Sequence, residues 1–185
     1  MEQKNITRRD FLNVAAMGAA VAAAGKVFPI LGKDEQPAMK MKLFVCSVCG
    51  HVEFGSAPEF CPVCHASKDN FKQNDALFTE AEAKLKDGGL SHNPEIIVKK
   101  QSDLIKEQPC HQVEVRIGKK LHPMEEAHHI RFLDCYVDDK HVTRVMLTIG
   151  VQPASSFLLK AAGKKVRIVE LCNLHGHWQA EASLA

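Results

Sequence analysis

The chain has 185 residues, of which 45% are hydrophobic and 25% charged, so it can build one sizeable core or two small ones. A formal net charge of +2, with only one Trp and one Tyr, argues against nucleic-acid binding. The seven cysteines are odd in number and include two closely spaced Cys-x-x-Cys pairs, which indicates metal ligation rather than a disulfide framework.

Residues 1–33 are predicted to be a targeting signal and linker rather than part of the fold. Arg8 and Arg9 form an arginine pair, followed by an alanine-rich apolar run from Asn13 to Gly25. This pattern resembles a twin-arginine export signal, with a small-residue cleavage site at Ala22–Ala24. This run of thirteen residues is shorter than the roughly twenty needed to span a bilayer. We therefore expect a periplasmic or extracytoplasmic protein that meets the membrane only during export. An uncleaved membrane anchor is the alternative.

Residues 41–73 contain two cysteine knuckles, Cys46 with Cys49 and Cys61 with Cys64, with eleven residues between them. Four thiolates at this spacing can surround one ion tetrahedrally, and the glycine and proline beside them suit tight turns. Tetrahedral sulfur fits iron or zinc, so the spacing alone leaves the metal open. The segment closely resembles the rubredoxin-like domain of rubrerythrins, which implies a single iron. A structural zinc ribbon is the alternative.

The residues that flank the knuckles are predicted to have no metal-binding role. His51 and His65 are expected at the surface, because four thiolates already complete a tetrahedral site. Residues 74–89 then place apolar side chains at helical spacing and end in a Gly88-Gly89 pair. This pattern predicts a short helical linker that spaces two domains.

From residue 90 onward the hydrophobic pattern changes to period two. Turn residues separate many short predicted strands without intervening helices, which favours a β-sandwich over residues 90–185. The predicted fold is therefore mainly β, with a small knuckle domain joined by a short helix to a sandwich. The predicted strands are Ile96–Lys100, Gln112–Ile117, His128–Val137, Val142–Ile149, Phe157–Ala161 and Val166–Leu171.

Two stretches of the predicted sandwich concentrate further metal-binding residue types. One contains His122 and His128, and the other contains Cys172 and His175 three positions apart. Thiolate and neutral imidazole together suit iron, zinc or copper, so the residue types do not select the ion. The four donors together predict a second mononuclear site. The backbone N–H groups of Leu174 and His175 are candidates to donate to the Cys172 sulfur.

The two motifs, in this order, closely resemble the iron-binding motifs of the desulfoferrodoxin and neelaredoxin family, the superoxide reductases. The resemblance covers residues 90–185 and implies an immunoglobulin-like sandwich that holds one iron by four equatorial histidines and one axial cysteine. The sixth position is then left for superoxide. Matched residue by residue, the resemblance implies His122, His128 and His175 as equatorial ligands and Cys172 as the axial ligand.

The fourth equatorial histidine comes from a motif at the start of the family's domain. His92 matches it best, because it keeps the His-x-Pro-x-Ile pattern, and His111 is the alternative. Where the family commonly has glutamate and lysine just before this histidine, the chain has Leu90 and Ser91. The family lysine is thought to attract superoxide, and neither replacement carries a charge. The adjacent pair Lys119-Lys120 is a candidate to supply the missing positive charge.

The other histidines, cysteines and acidic residues near these motifs are not predicted to bind metal. His129 alternates to the opposite side of its strand from His128, so it cannot easily reach the same ion. The remaining expectations are His141 in a turn, His177 packed or hydrogen-bonded near the site, Cys110 and Cys135 as structural or free thiols, and Glu125 and Glu126 on a solvated loop.

The sequence supports three hypotheses about function. The first is an exported oxidoreductase with two mononuclear irons, in which a four-cysteine iron passes electrons from a redox donor protein to a His4Cys iron that reduces superoxide to hydrogen peroxide. The second is an iron-binding electron-transfer protein with little superoxide reductase activity, because Leu90-Ser91 replaces the charged pair. The third is a structural zinc knuckle on a sandwich without a redox role. A homodimer is compatible with each.

Overall fold

The computed structural model describes residues 41–86, 89–160 and 162–184. The predicted export signal at residues 1–33 therefore lies outside the described residues. Within the described ranges, no helix combines the length and apolar character that crossing a bilayer would require.

A three-stranded antiparallel sheet carries the cysteine knuckles. Its strands are β1 (Leu43–Cys46), β2 (Val52–Phe54) and β3 (Phe71–Gln73), in the spatial order β2-β1-β3. The residue after each second cysteine has a left-handed backbone, with φ of +74° at Gly50 and +61° at His65. Left-handed residues let the chain turn sharply after each Cys-x-x-Cys pair, so the two knuckles can face each other.

A seven-residue helix, α1 (Leu77–Ala83), follows β3. It buries Phe78 and Ala81 and packs against the last strand of the chain, β10 (Gly176–Ser183). The helix is therefore part of the packing between the knuckle sheet and the rest of the protein. The helix therefore does more than the predicted spacing of two domains, because its apolar face packs against the rest of the protein.

Seven strands that include β10 form two antiparallel sheets, and the predicted mainly β fold is confirmed. Besides β10, the strands are β4 (Pro94–Lys99), β5 (His111–Ile117), β6 (Ile130–Val137), β7 (Lys140–Met146), β8 (Ala154–Leu159) and β9 (Lys165–Cys172). The larger sheet has the order β10-β9-β6-β7 and the smaller one β4-β5-β8. The sequence pattern did not predict β10, because a residue that it packs against the core, Ala182, is small.

The main core lies between the two sheets and is lined by residues such as Val113, Leu133 and Ile168. A second core lies on the other face of the larger sheet. Its buried members are Leu43 and Val52 of the knuckle sheet, Phe78 of α1, and Tyr136 and Val169 of the sandwich. The strands β6 and β9 are consequently buried on both faces, and the knuckle sheet covers the outer face of the larger sheet.

Candidate metal centres

The four knuckle cysteines form one cluster. The Sγ atoms of Cys46 and Cys64 are 3.7 Å apart, those of Cys49 and Cys61 are 3.6 Å apart, and all four lie within 4.8 Å of one another. Sulfurs at the corners of a tetrahedron with metal–sulfur bonds of about 2.3 Å would be about 3.8 Å apart. The spacing therefore fits one tetrahedral ion.

A second cluster joins three parts of the sandwich. His92 lies just before β4, His128 just before β6, Cys172 ends β9, and His175 lies in the turn between β9 and β10. One donor atom from each of the four lies within 4.8 Å of the others. His175 Nδ1 is 3.0 Å from His92 Nε2 and 3.5 Å from Cys172 Sγ. Antiparallel pairing of Ile130 with Cys172 brings the loop that carries His128 to the end of β9.

His122 completes a ring of four imidazoles. Its ring centroid is 4.7 Å from that of His92 and 4.4 Å from that of His128, and His175 lies 4.8 Å from each of the same two rings. Neighbouring rings are nearly perpendicular, at 73–87°, whereas His92 and His128 face each other across 5.8 Å. The four rings therefore form a square with its corners in the order 92, 122, 128 and 175.

Two ring nitrogens of this square are buried and have no hydrogen-bond partner, His122 Nε2 and His128 Nε2. Buried polar atoms without partners are rare in proteins, and a role in binding an ion is one explanation for them. His122 Nδ1 donates to the Pro123 carbonyl at 2.6 Å, which leaves the lone pair on Nε2. Burial lowers the pKa of His122 to about 4 and also lowers the pKa of His128, so both rings are neutral near pH 7. The donor set thus fits a mononuclear metal.

A family model described as desulfoferrodoxin matches residues 80–181. The chain belongs to the desulfoferrodoxin family. A second model, the rubrerythrin rubredoxin-like domain, matches residues 44–72. A third, described as "Ubiquitinol-cytochrome C reductase Fe-S subunit TAT signal", matches residues 1–31. The desulfoferrodoxin and rubredoxin-like domains both imply iron sites.

Curated relatives match the chain over different lengths. A desulfoferrodoxin from Desulfarculus baarsii is 46% identical over 67 residues, which cover 36% of this chain and only 51% of that protein. A desulfoferrodoxin homolog from Archaeoglobus fulgidus is 28% identical over 76% of this chain and 96% of its own length. A superoxide reductase from Pyrococcus abyssi is 32% identical over 52% of this chain and 89% of its own. Among solved structures, a superoxide reductase (neelaredoxin) from Ignicoccus hospitalis is 30% identical, with a TM-score of 0.41, over 50% of this chain and 78% of that chain.

Cys172 is buried beside the four rings of this desulfoferrodoxin. Burial raises the pKa of its thiol, while hydrogen bonds from the backbone N–H groups of Leu174 and His175 lower it. Donors to a thiolate ligand stabilise its negative charge and tune the metal that it binds. The structure therefore places both proposed backbone donors at the sulfur.

Trp178 supports His92 from the side and was not singled out from the sequence. The two rings stack at a centroid distance of 4.9 Å and an angle of 28°. Gly89 lies against the indole with φ of +82°, and a Cβ there would come within 2.5 Å of Trp178. The backbone N–H groups of His92 and Asn93 both donate to the Gly89 carbonyl at 2.9 Å. The only tryptophan of the chain, six positions after Cys172, was the available signal for this role.

Asn173 ties the loop that carries His128 to the end of β9. Its Nδ2 donates to the Ala127 carbonyl at 3.0 Å, and its Oδ1 accepts from the His129 N–H at 2.9 Å. Its own N–H donates to the His129 carbonyl at 3.1 Å. Three hydrogen bonds on both sides of His128 hold that residue beside Cys172.

The uncharged pair before His92 lies at the edge of the second cluster. Ser91 Oγ is 3.2 Å from His92 Nδ1, and the side chain of Leu90 is largely exposed. The Lys120 N–H donates to the Leu90 carbonyl at 3.3 Å, and both Lys119 and Lys120 are exposed. The two lysines thus belong to the turn that packs beside Leu90.

The other histidines, cysteines and acidic residues that the sequence analysis considered lie outside both clusters. Two expectations about their positions are wrong. His51 is fully buried rather than at the surface, and His141 lies on β7 rather than in a turn. His177 does form a hydrogen bond, but to the Gly50 carbonyl of the knuckle. The others are His65, Glu125 and Glu126, which are exposed, His111 on β5, His129 bonded to the Glu125 carbonyl, and the buried free thiols Cys110 and Cys135.

A buried polar network joins the knuckle to the larger sheet. Its centre is Asp134, which accepts two bonds of 2.6 Å from the Arg144 guanidinium. His51 Nδ1 lies 3.3 Å from the same carboxylate, and His141 Nε2 lies 3.4 Å from it. These donors lie close enough to hold an ion, but the bidentate guanidinium already balances the charge of Asp134. Burial alone would raise the pKa of Asp134, yet the Arg144 bonds hold it well below its usual range. The network is therefore an internal ion pair.

Protonation of His51 is expected to stabilise the docked knuckle. Burial lowers its pKa, but hydrogen bonds to Asp134 and Glu53 outweigh burial and raise the pKa above its ordinary value. A raised folded-state pKa adds stability that is complete below about pH 6.5 and is lost as pH rises through the folded value. The difference in free energy of unfolding between wild type and His51→Gln should therefore be largest near pH 6 and shrink as the solution becomes alkaline.

Chemical denaturation of the metal-loaded protein across this pH range measures the effect. His65→Gln is the matched control, because His65 also follows a knuckle but is exposed. A pH-independent difference for His51→Gln would contradict the prediction.

Proposed function

We propose that this desulfoferrodoxin is a superoxide reductase-type oxidoreductase that reduces superoxide to hydrogen peroxide at the second cluster. The observation that carries the proposal is the ring of four imidazoles beside one thiol, with His122 Nε2 and His128 Nε2 buried and unpartnered. The 32% identity to a superoxide reductase from Pyrococcus abyssi supports superoxide as the substrate. The proposed ligands are His92, His122, His128, His175 and Cys172, and those of the second, four-cysteine iron are Cys46, Cys49, Cys61 and Cys64.

Ferrous iron held by these residues would supply the one electron that superoxide, with two protons, needs to become hydrogen peroxide. Neutral imidazoles add no charge to the site, so Cys172 provides its only anionic ligand. The N–H groups of Leu174 and His175 hold that thiolate in place. Cys172 is buried, whereas His128 and His175 are partly exposed. Superoxide therefore approaches from the imidazole side, away from the sulfur.

Pulse radiolysis of the reduced, iron-loaded protein tests this function. The expected result is a rapid second-order reaction that yields one hydrogen peroxide for each superoxide, without release of dioxygen. Metal analysis of the same sample separates iron from zinc, which would leave the protein colourless and redox-silent. Release of dioxygen or the absence of a reaction would contradict the proposed function.

A second candidate function is an electron-transfer protein with little superoxide reductase activity. The observation that favours it is the uncharged pair Leu90-Ser91 beside His92, since a nearby cation steers an anionic substrate. Slow superoxide reduction combined with normal iron spectra would support this candidate.

Restoring a cation at this position is expected to speed the reaction. Ser91→Lys should raise the second-order rate constant by about tenfold, the lower end of what electrostatic steering supplies. The gain should shrink at high ionic strength, because salt screens exposed charges. Ser91→Gln is the control, since it changes the hydrogen bond to His92 without adding charge. An equal gain in the glutamine variant would rule out steering.

We also propose that the protein is exported by the twin-arginine route, on the match of residues 1–31 to a signal of that type. Replacing Arg8 and Arg9 with lysines is expected to keep the protein in the cytoplasmic fraction. Cell fractionation with an antibody against the sandwich measures the distribution, and unchanged export of the lysine variant would argue for another route.

A further inference from the structure

One hydrogen bond connects the knuckle directly to the strand that leads out of the second cluster. His177 Nε2 lies 2.7 Å from the Gly50 carbonyl oxygen. A carbonyl can only accept, so Nε2 carries the proton and donates. His177 is buried, with only 7% of its surface exposed.

The two ends of this bond are covalently close to the two clusters. Gly50 directly follows Cys49, and His177 is separated from His175 by Gly176 alone. A route from the thiolate of Cys49 to the ring of His175 therefore follows covalent bonds and crosses a single hydrogen bond. A second hydrogen bond to the knuckle backbone, from Arg144 to the Cys49 carbonyl at 2.9 Å, leads into β7 and away from the second cluster.

Packing on both sides holds the bond in place. A Cβ at Gly50 would lie 3.1 Å from Leu171 Cδ2 and 3.4 Å from Phe132, so only glycine allows this approach without movement. Tyr136 donates to the Val52 carbonyl at 2.7 Å and fixes the knuckle strand nearby. The hydrogen bond between His177 and Gly50 therefore belongs to the packed interface between the knuckle and the larger sheet.

We propose that His177 is the contact through which electrons pass from the four-cysteine centre to the histidine–cysteine centre of the same chain. With iron held by both donor sets, each transfer would move one electron from the four cysteines' iron, oxidising it from ferrous to ferric, to the second cluster's iron, reducing it from ferric to ferrous. An external one-electron donor protein would then reduce the first iron again. This inference rests on the proposed function and adds the route to it.

The test uses the full chain with both irons loaded and reduced under anaerobic conditions. A pulse of superoxide below one equivalent oxidises the iron of the second cluster. That iron then takes an electron from the four-cysteine iron, which becomes ferric. The rise in visible absorption of the ferric four-cysteine iron measures the rate of this transfer. In wild type this phase should be first-order and independent of protein concentration.

His177→Phe should slow this phase by roughly an order of magnitude, because a van der Waals gap of about 3.5–4.0 Å replaces the hydrogen bond. His177→Leu should behave alike, and His177→Gln, whose amide can donate to Gly50, should restore much of the rate. The spectra and reduction potentials of both centres should stay at their wild-type values, which a general structural defect would not allow.

Wild-type transfer in His177→Phe and His177→Leu, or a rate that rises with protein concentration, would overturn the route. Failure of the proposed function is a separate outcome, since it would show as no reaction of the second centre with superoxide. In that case, a photogenerated one-electron oxidant replaces superoxide, and the same comparison of His177 variants decides the route.

Discussion

Asp134→Asn is expected to lower the free energy of unfolding by about 3–5 kcal/mol, because it leaves a buried guanidinium without its counter-charge. Asp134 is fully buried, and the Arg144 side chain that forms an ion pair with it is only 7% exposed. The carboxylate also lies within hydrogen-bond reach of His51, His141 and Tyr136. An amide of the same shape keeps the packing but can accept from one atom only, so several donors lose their partner at once.

Denaturant unfolding of the metal-loaded protein measures this change. The matched control is Glu59→Gln, because Glu59 also pairs with a cation, Lys68, but both side chains are more than half exposed. Exposed ion pairs add little to stability, so the control should unfold like wild type. A loss for Asp134→Asn no larger than that of the control would show that the network does not hold the knuckle in place.

His128→Ala is expected to abolish superoxide reduction and to weaken iron binding at the second cluster. Its Nε2 is buried and unpartnered inside the ring of imidazoles. Loss of a residue that merely supports a ligand costs about 10–100-fold in affinity or activity, so removal of a ligand should cost at least that much. Iron content and the rate of superoxide reduction are the measurements.

The next residue in the chain supplies the control. His129 has the same side chain, but its Nδ1 lies 3.1 Å from the Glu125 carbonyl outside the ring. His129→Ala should therefore retain iron and activity close to wild type. Equal losses in the two variants would mean that the loop conformation, rather than one ligand, was disturbed.

Local spacing explains why the cysteine pairs of the knuckles and the pair Cys172 and His175 could be predicted from the sequence, whereas His122 and His128 were assigned by the family resemblance. Cysteines three positions apart share one turn, and the same holds for Cys172 and His175, so the residues between them fix their distance. His92 was harder, because its place beside His175 depends on contacts that join residues 83 positions apart. Only a short His-x-Pro-x-Ile pattern pointed to it.

The environment of His51 could not be predicted for a related reason. Its sequence neighbours are those of an exposed turn, and burial comes from Asp134, which lies 83 positions further on. The docking of the knuckle onto the larger sheet creates that environment, and no local pattern encodes it. The packing role of α1 could not be predicted for the same reason. The spacing of its apolar residues predicts a helix, but it does not show which surface covers them.

The second core draws its side chains from the knuckle sheet, the helix and the sandwich. Separation of the knuckle from the sandwich would therefore expose Tyr136 and Val169 to solvent, and both are fully buried in the intact chain. The protein should accordingly unfold in one cooperative transition, and a sandwich expressed without its knuckle would expose an apolar face that is prone to aggregate.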